Sequence, residues 1–145
     1  MSERFWEVKT TLVEHLLWLT LLPVGIAVAV ALPLAVAVRH RPWARSVALG
    51  LSSVVQTIPS LAMLAFLLPI FGIGKVPAVI ALTLYAILPI LQNASIALRD
   101  LPEDVLEAAD GMGFSPWQRL TLVELPLVLP VVFGGIRTAT VICVG

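Results

Sequence analysis

The sequence predicts an all-α, polytopic membrane bundle of about four spans. Three observations carry that expectation: an apolar content too high for water, four long stretches without a charged side chain, and an arginine-rich connection between the first two. Hydrophobic residues fill 59% of the 145 positions and charged residues 12%, against about 25% charged in a soluble domain. The mean hydropathy is +1.02.

The runs without Asp, Glu, Lys or Arg cover about 16–38, 46–74, 76–98 and 125–145, the last interrupted by Arg137. A hydrocarbon core of about 30 Å takes roughly 20 helical residues, so each run is long enough to cross. The expected organisation is an N-terminal extracytoplasmic or interfacial segment, 1–15, and a transmembrane domain, 16–145, with one long loop at 99–124. Ala35-Val36-Ala37 loosely fits a signal-cleavage site, but the flank holds Glu3, Glu7 and Glu14 and the run is too long for a signal core, which argues for a retained span. Cys143 is the lone cysteine, so no intrachain disulfide forms.

Arg39, Arg41 and Arg45 crowd the first connection, which the positive-inside rule assigns to the cytoplasm. The N-terminus and the turn at Lys75 then lie outside, and the 99–124 loop inside. Trp6, Trp18, Trp43 and Trp117 fall near span ends or in loops, where an amphipathic ring suits the headgroup zone.

The second run has 29 residues, about 44 Å of helix, so a tilt, kink or split must absorb the excess. Gln56-Thr57-Ile58-Pro59-Ser60 lies inside it, and Pro59 removes a backbone donor beside an amide and two hydroxyls. Either this is a packed kink or Gln56, Pro59 and Ser60 belong to a flexible element lining a solute path. In the third run Gln92 and Asn93 follow Pro89, and their amides meet either headgroup water or the bundle interior.

Arg137 lies roughly 18 Å along a helix that starts at Leu125, near mid-bilayer. A central arginine costs about 2.5–3.5 kcal/mol on insertion scales, and the apolar residues around it return roughly 3–6 kcal/mol, so the span still inserts. With no acid in any run, Arg137 needs carbonyls, amides such as Asn93 or Gln56, water, or a partner chain.

The 99–124 loop carries six acids, Asp100, Glu103, Asp104, Glu107, Asp110 and Glu124, against Arg99 and Arg119. Val105, Ala108, Ala109 and Met112 recur at helical spacing, predicting a short amphipathic helix over about 102–111. Gly111 and Gly113 supply a cap or sharp turn, and Ser115-Pro116-Trp117-Gln118 reads as a new capping box. Helices that lie on membranes favour basic polar faces. This acidic one, with Ala108 and Ala109 permitting close approach, suits a groove on a soluble partner.

These residues match a known pattern: Glu107-Ala108-Ala109, three residues, Gly113, nine residues, then Val123-Glu124-Leu125-Pro126. The loop resembles the EAA loop of binding-protein-dependent ABC importer permeases. Gln56 to Ala62, Leu84 to Ile90 and Leu125 to Thr138 look like the osmoprotectant branch of that family, which imports glycine betaine, choline, carnitine or proline betaine. The resemblance covers most of the chain from Glu14 onward, with Gln92 at a position where relatives often carry a basic residue. It implies the type I importer fold, incomplete here, because the chain stops at Gly145 inside an apolar run as a truncated product or fragment would.

The resemblance also implies a bacterial-type plasma (inner) membrane location and a set of partners: a second permease subunit, an extracytoplasmic solute-binding protein and a cytoplasmic ATPase that holds ATP and Mg. Glu107, Ala108, Ala109, Gly113, Leu125 and Pro126 would dock that ATPase; Gln56, Pro59, Ser60, Asn93 and Arg137 are candidates for the pathway. No cofactor, metal, nucleic acid or catalytic role is expected for this chain. Gly72-Ile73-Gly74-Lys75 lacks the spacing of a phosphate-binding loop, and His15 and His40 are isolated. A permease for methionine or another amino acid, and a non-transporting scaffold or sensor that keeps the loop, are the competing readings.

Overall fold

A computed structural model describes the backbone of residues 2–144 and the side chains of 9–14 and 16–144. The expectations for Trp6 and His15 lie outside the described side chains. The elements are α1 (Ser2–Val38), α2 (Pro42–Thr57), α3 (Ser60–Phe71), α4 (Lys75–Arg99), α5 (Glu103–Gly111), α6 (Pro116–Arg119), a π-helical turn (Leu120–Glu124) and α7 (Leu125–Val144). The chain is all-α, as its hydropathy pattern predicts.

Among the described residues three helical stretches are long and apolar enough to cross a membrane: Lys9–Val38, Lys75–Arg99 and Pro116–Val144. A fourth crossing is possible only if α2 and α3 count as one span, and these two meet at 93°. The long 46–74 run is thus split rather than tilted. The 16 residues of α2 reach about 24 Å, short of the roughly 30 Å core, and α3 turns across that direction.

The core forms where α4 packs against α1 and α7, which also touch each other. Small residues make the approach close. Ala27, Ala31 and Ala35 recur every four positions on α1, facing Ala86, Ile90, Leu91 and Ala94 of α4 and Val128, Val132 and Ala139 of α7. Helices in lipid gain little from hydrophobic exclusion, so van der Waals contact between such faces is what holds them together.

Gly135 marks the tightest point: a Cβ there would sit 2.8 Å from the Pro89 carbonyl oxygen and 3.0 Å from the Ile90 Cα. Outward-facing positions carry large apolar side chains, among them Leu21, Leu61, Phe66 and Phe133. Trp18, Trp43 and Trp117 are exposed as well.

Candidate functional site

Most of the residues singled out by sequence gather at two separate places, the loop after α4 and the break between α2 and α3, while Asn93 lies on α4 and Arg137 on α7. In the loop, Glu103 and Asp104 occupy the first turn of α5, where the helix dipole favours negative charge. At the other end Gly113 adopts φ +80°. Its N–H donates to the Asp110 carbonyl at 3.0 Å, and the Phe114 N–H donates to the Ala109 carbonyl at 3.2 Å. This pair of bonds is a Schellman cap, with the glycine supplying the left-handed residue that other L-amino acids adopt at a penalty of about 1–2 kcal/mol. Gly111, the other candidate cap, lies inside α5.

Sequence periodicity puts Val105, Ala108, Ala109 and Met112 on one apolar face of this helix, and the structure divides them. Ala109 is 1% exposed and shares its side of α5 with half-buried Val105 and Leu106, the residues four and three before it. Ala108 aligns instead with Asp104 and Met112, and all three are exposed together with Glu107. The exposed side of α5 is therefore acidic with one alanine and one methionine, and Ala109 lies on its covered side.

Ser115 caps α6 as a full capping box: the Gln118 N–H donates to Ser115 Oγ at 3.3 Å, and the Ser115 N–H donates to Gln118 Oε1 at 2.9 Å. The sequence reading separates this short helix from the last span. In the structure it runs on through the π-helical turn into α7. The Leu125 N–H bonds to the Leu120 carbonyl, five residues back. Pro126 explains the widening, because a proline ring collides with the carbonyl four residues before it in a regular helix and a longer turn relieves that contact. Leu125 packs against the core, and Pro126 is exposed.

Sequence reasoning missed an ionic cluster that closes this end of the bundle. Glu124 is 3% exposed. Its carboxylate accepts from Arg119 Nε at 2.9 Å and from Arg39 Nη1 at the end of α1. Arg119 Nη1 also donates to both Asp110 oxygens, at 3.0 and 2.8 Å. The signal available in the sequence was position: Arg39 and Glu124 directly border apolar runs, where an unpaired charge is expensive. The pairing also places the first connection and the 99–124 loop at the same end of the bundle.

At the break, the two helices are clasped by Tyr85 of α4. Pro89 has no N–H to give the Tyr85 carbonyl four residues before it. Gln56 Nε2 supplies the missing donor at 2.8 Å. The Tyr85 hydroxyl in turn donates to the Ile58 carbonyl, which the break leaves outside any helix. Pro59 and Ser60 are exposed, and Ser60 opens on a cleft of about 220 Å³ with Leu61, Leu64, Leu82 and Tyr85. Gln56 thus ties the break to α4 through the Tyr85 carbonyl.

Asn93 Nδ2 donates to the Pro89 carbonyl at 2.7 Å. Gln56 and Asn93 thus each give an amide N–H to a main-chain carbonyl, and Arg137 is exposed on α7. No group of three His, Cys, Asp or Glu among the described residues is placed to hold a metal ion.

Residues 22–145 match the family model described as the binding-protein-dependent transport system inner membrane component. The chain belongs to this family. Within it, the chain is 41% identical over 132 residues to the glycine betaine/carnitine/choline transport system permease protein OpuCB of Bacillus subtilis, covering 91% of this chain and 60% of that one. It is 45% identical over 137 residues to the osmoprotectant import permease protein OsmW of Salmonella typhimurium, covering 91% and 63%. The choline transport system permease protein OpuBB of Bacillus subtilis is 42% identical over 132 residues, covering 91% and 60%. The chain spans about three fifths of the length of these curated relatives. As a member of this inner membrane family with several helices of spanning length, it is a multi-pass membrane protein.

Proposed function

We propose that this chain is the membrane-spanning permease subunit of an ATP-driven importer of a small compatible solute, a quaternary ammonium compound such as glycine betaine or choline. It hydrolyses no ATP itself. A cytoplasmic ATPase subunit holds ATP and Mg, a second permease subunit completes the path, and an extracytoplasmic protein delivers the solute. The N-terminus lies outside and the α4–α7 connection inside.

The observation that carries this reading is α5, a short helix with Glu107, Ala108 and Met112 exposed and its end set by Gly113. Such a helix, held between two spans and packed on little else, suits insertion into a groove on a partner. Glu107 can accept charge-assisted hydrogen bonds there. The solute class rests on the relatives named for osmoprotectant, choline and carnitine transport.

The test is reconstitution of the permease with its ATPase and binding protein in proteoliposomes, with labelled glycine betaine, choline, carnitine and methionine offered in turn. ATP-dependent uptake of a quaternary ammonium solute is expected. Uptake of methionine alone would move the chain to the amino-acid branch. Association with the ATPase but no uptake of any solute would favour a scaffold or sensor. Glu107→Arg is expected to abolish co-purification with the ATPase, and retained association would count against α5 as the docking element.

A further inference from the structure

The ionic cluster at the end of the bundle is an ordered chain of contacts rather than a scatter of surface pairs. It starts at Asp110 in the last turn of α5 and passes through Arg119 to Glu124. From there it ends on Arg39 at the foot of α1. Side-chain exposure falls along it, from 57% at Asp110 through 21% at Arg119 to 4% at Glu124, with Arg39 at 14%. The outer link is solvated and weak on its own, whereas Glu124 is buried and strongly penalised if either arginine leaves.

The π-helical turn is what makes the middle link possible. Arg119 and Glu124 are five positions apart, and in a regular α-helix such residues point about 140° away from each other. The wider turn closed by the bond from the Leu125 N–H to the Leu120 carbonyl brings the two onto one side. The link therefore exists only while that turn is kept.

α5 has little else to hold it, since its packing against other helices is chiefly with α6. A displacement of α5 can reach α7 along the backbone through α6. Its direct route to α1 runs through these four side chains. We infer that Glu124 is the positioning residue that ties the docking helix to α1, so that a movement imposed on α5 shifts the first span together with the last. The inference rests on the permease reading above for the source of the movement, and on the geometry alone for the tie.

Two measurements on the full chain test it. In nanodiscs, in a Cys143→Ala background, spin labels at Arg41→Cys and Met112→Cys report the distance between the foot of α1 and α5. One narrow distribution is expected, broadened by Glu124→Gln and also by Asp110→Asn, whose exposed site leaves folding intact if the buried substitution does not. A distribution unchanged by both variants overturns the tie.

In the reconstituted importer, the number of ATP molecules hydrolysed per solute imported is expected to rise at least fivefold in either variant, while ATPase association stays the same. A merely structural role would lower transport and hydrolysis together and leave that ratio unmoved, which overturns the positioning role. If broadening occurs but the unmodified complex imports nothing, the tie stands and the permease reading fails.

Discussion

The side-chain amide of Gln56 donates to the main-chain carbonyl of Tyr85, the acceptor that Pro89 leaves without a helical donor. A proline in α4 is thus compensated by a residue of α2, while the Tyr85 hydroxyl serves the Ile58 carbonyl at the break. The 93° bend between α2 and α3 is fastened to α4 at two points within three residues.

Gln56→Leu is accordingly expected to destabilise the chain by about 1–3 kcal/mol, the usual cost of a buried acceptor left unserved. Tyr85→Phe should have a similar effect at Ile58. Because both bonds fasten one bend, the double variant should lose less than the sum of the singles. Unfolding in lipid nanodiscs checks this, and full additivity would show that the two bonds act independently.

Gly113 has open space around its Cα, so a substitution there meets no neighbour and the penalty comes from φ +80°. Gly113→Val should cost about 1–2 kcal/mol in the cap and uncouple α5 from its turn. Gly113→Asn should cost less, since asparagine visits that conformation. ATP-dependent uptake is expected to follow the order Gly, Asn, Val, with membrane insertion equal in all three.

Gly135 behaves in the opposite way, with permissible dihedrals but no room. Gly135→Ala must push α7 away from the Pro89 carbonyl and the Ile90 backbone, a main-chain contact that cannot rotate aside. A loss of about 1–3 kcal/mol is expected, as for other overpacked sites, together with a lower melting temperature in detergent. An unchanged melting temperature would mean that the two helices separate without penalty.

Arg137 is exposed on α7. Arg137→Ala should ease insertion by about 2.5–3.5 kcal/mol and leave the fold in place. Uptake in proteoliposomes should nevertheless fall roughly tenfold or more, equivalent to at least about 1.4 kcal/mol in the transport barrier. Unchanged uptake would exclude Arg137 from the pathway.

Much of the loop was legible in the sequence because its determinants are local. The capping box at Ser115 and Gln118 and the glycine that ends α5 depend on residues three to five apart, whose geometry the backbone dictates. The orientation of α5 was less legible. Periodicity groups Ala108 with Ala109, but it does not say on which side of their shared face the boundary between covered and open falls.

The ionic chain and the clasp at the break were missed because each joins residues far apart. Arg39 and Glu124 are separated by 85 positions, Gln56 and Tyr85 by 29. Composition announces that such groups need partners and does not choose them.

The sequence by itself determined that this protein is helical and multi-span, because apolar runs of that length leave the backbone no other way to satisfy its hydrogen bonds in lipid. It also determined the helix caps of the 99–124 loop, which are short-range. Only the tertiary structure decided that the second run turns through a right angle, that Gln56 serves the Tyr85 carbonyl, and that Glu124 binds the foot of α1. Those outcomes follow from which helix faces meet, and that is set by the close approach of small residues on α1, α4 and α7, a property of the assembled bundle rather than of any one segment.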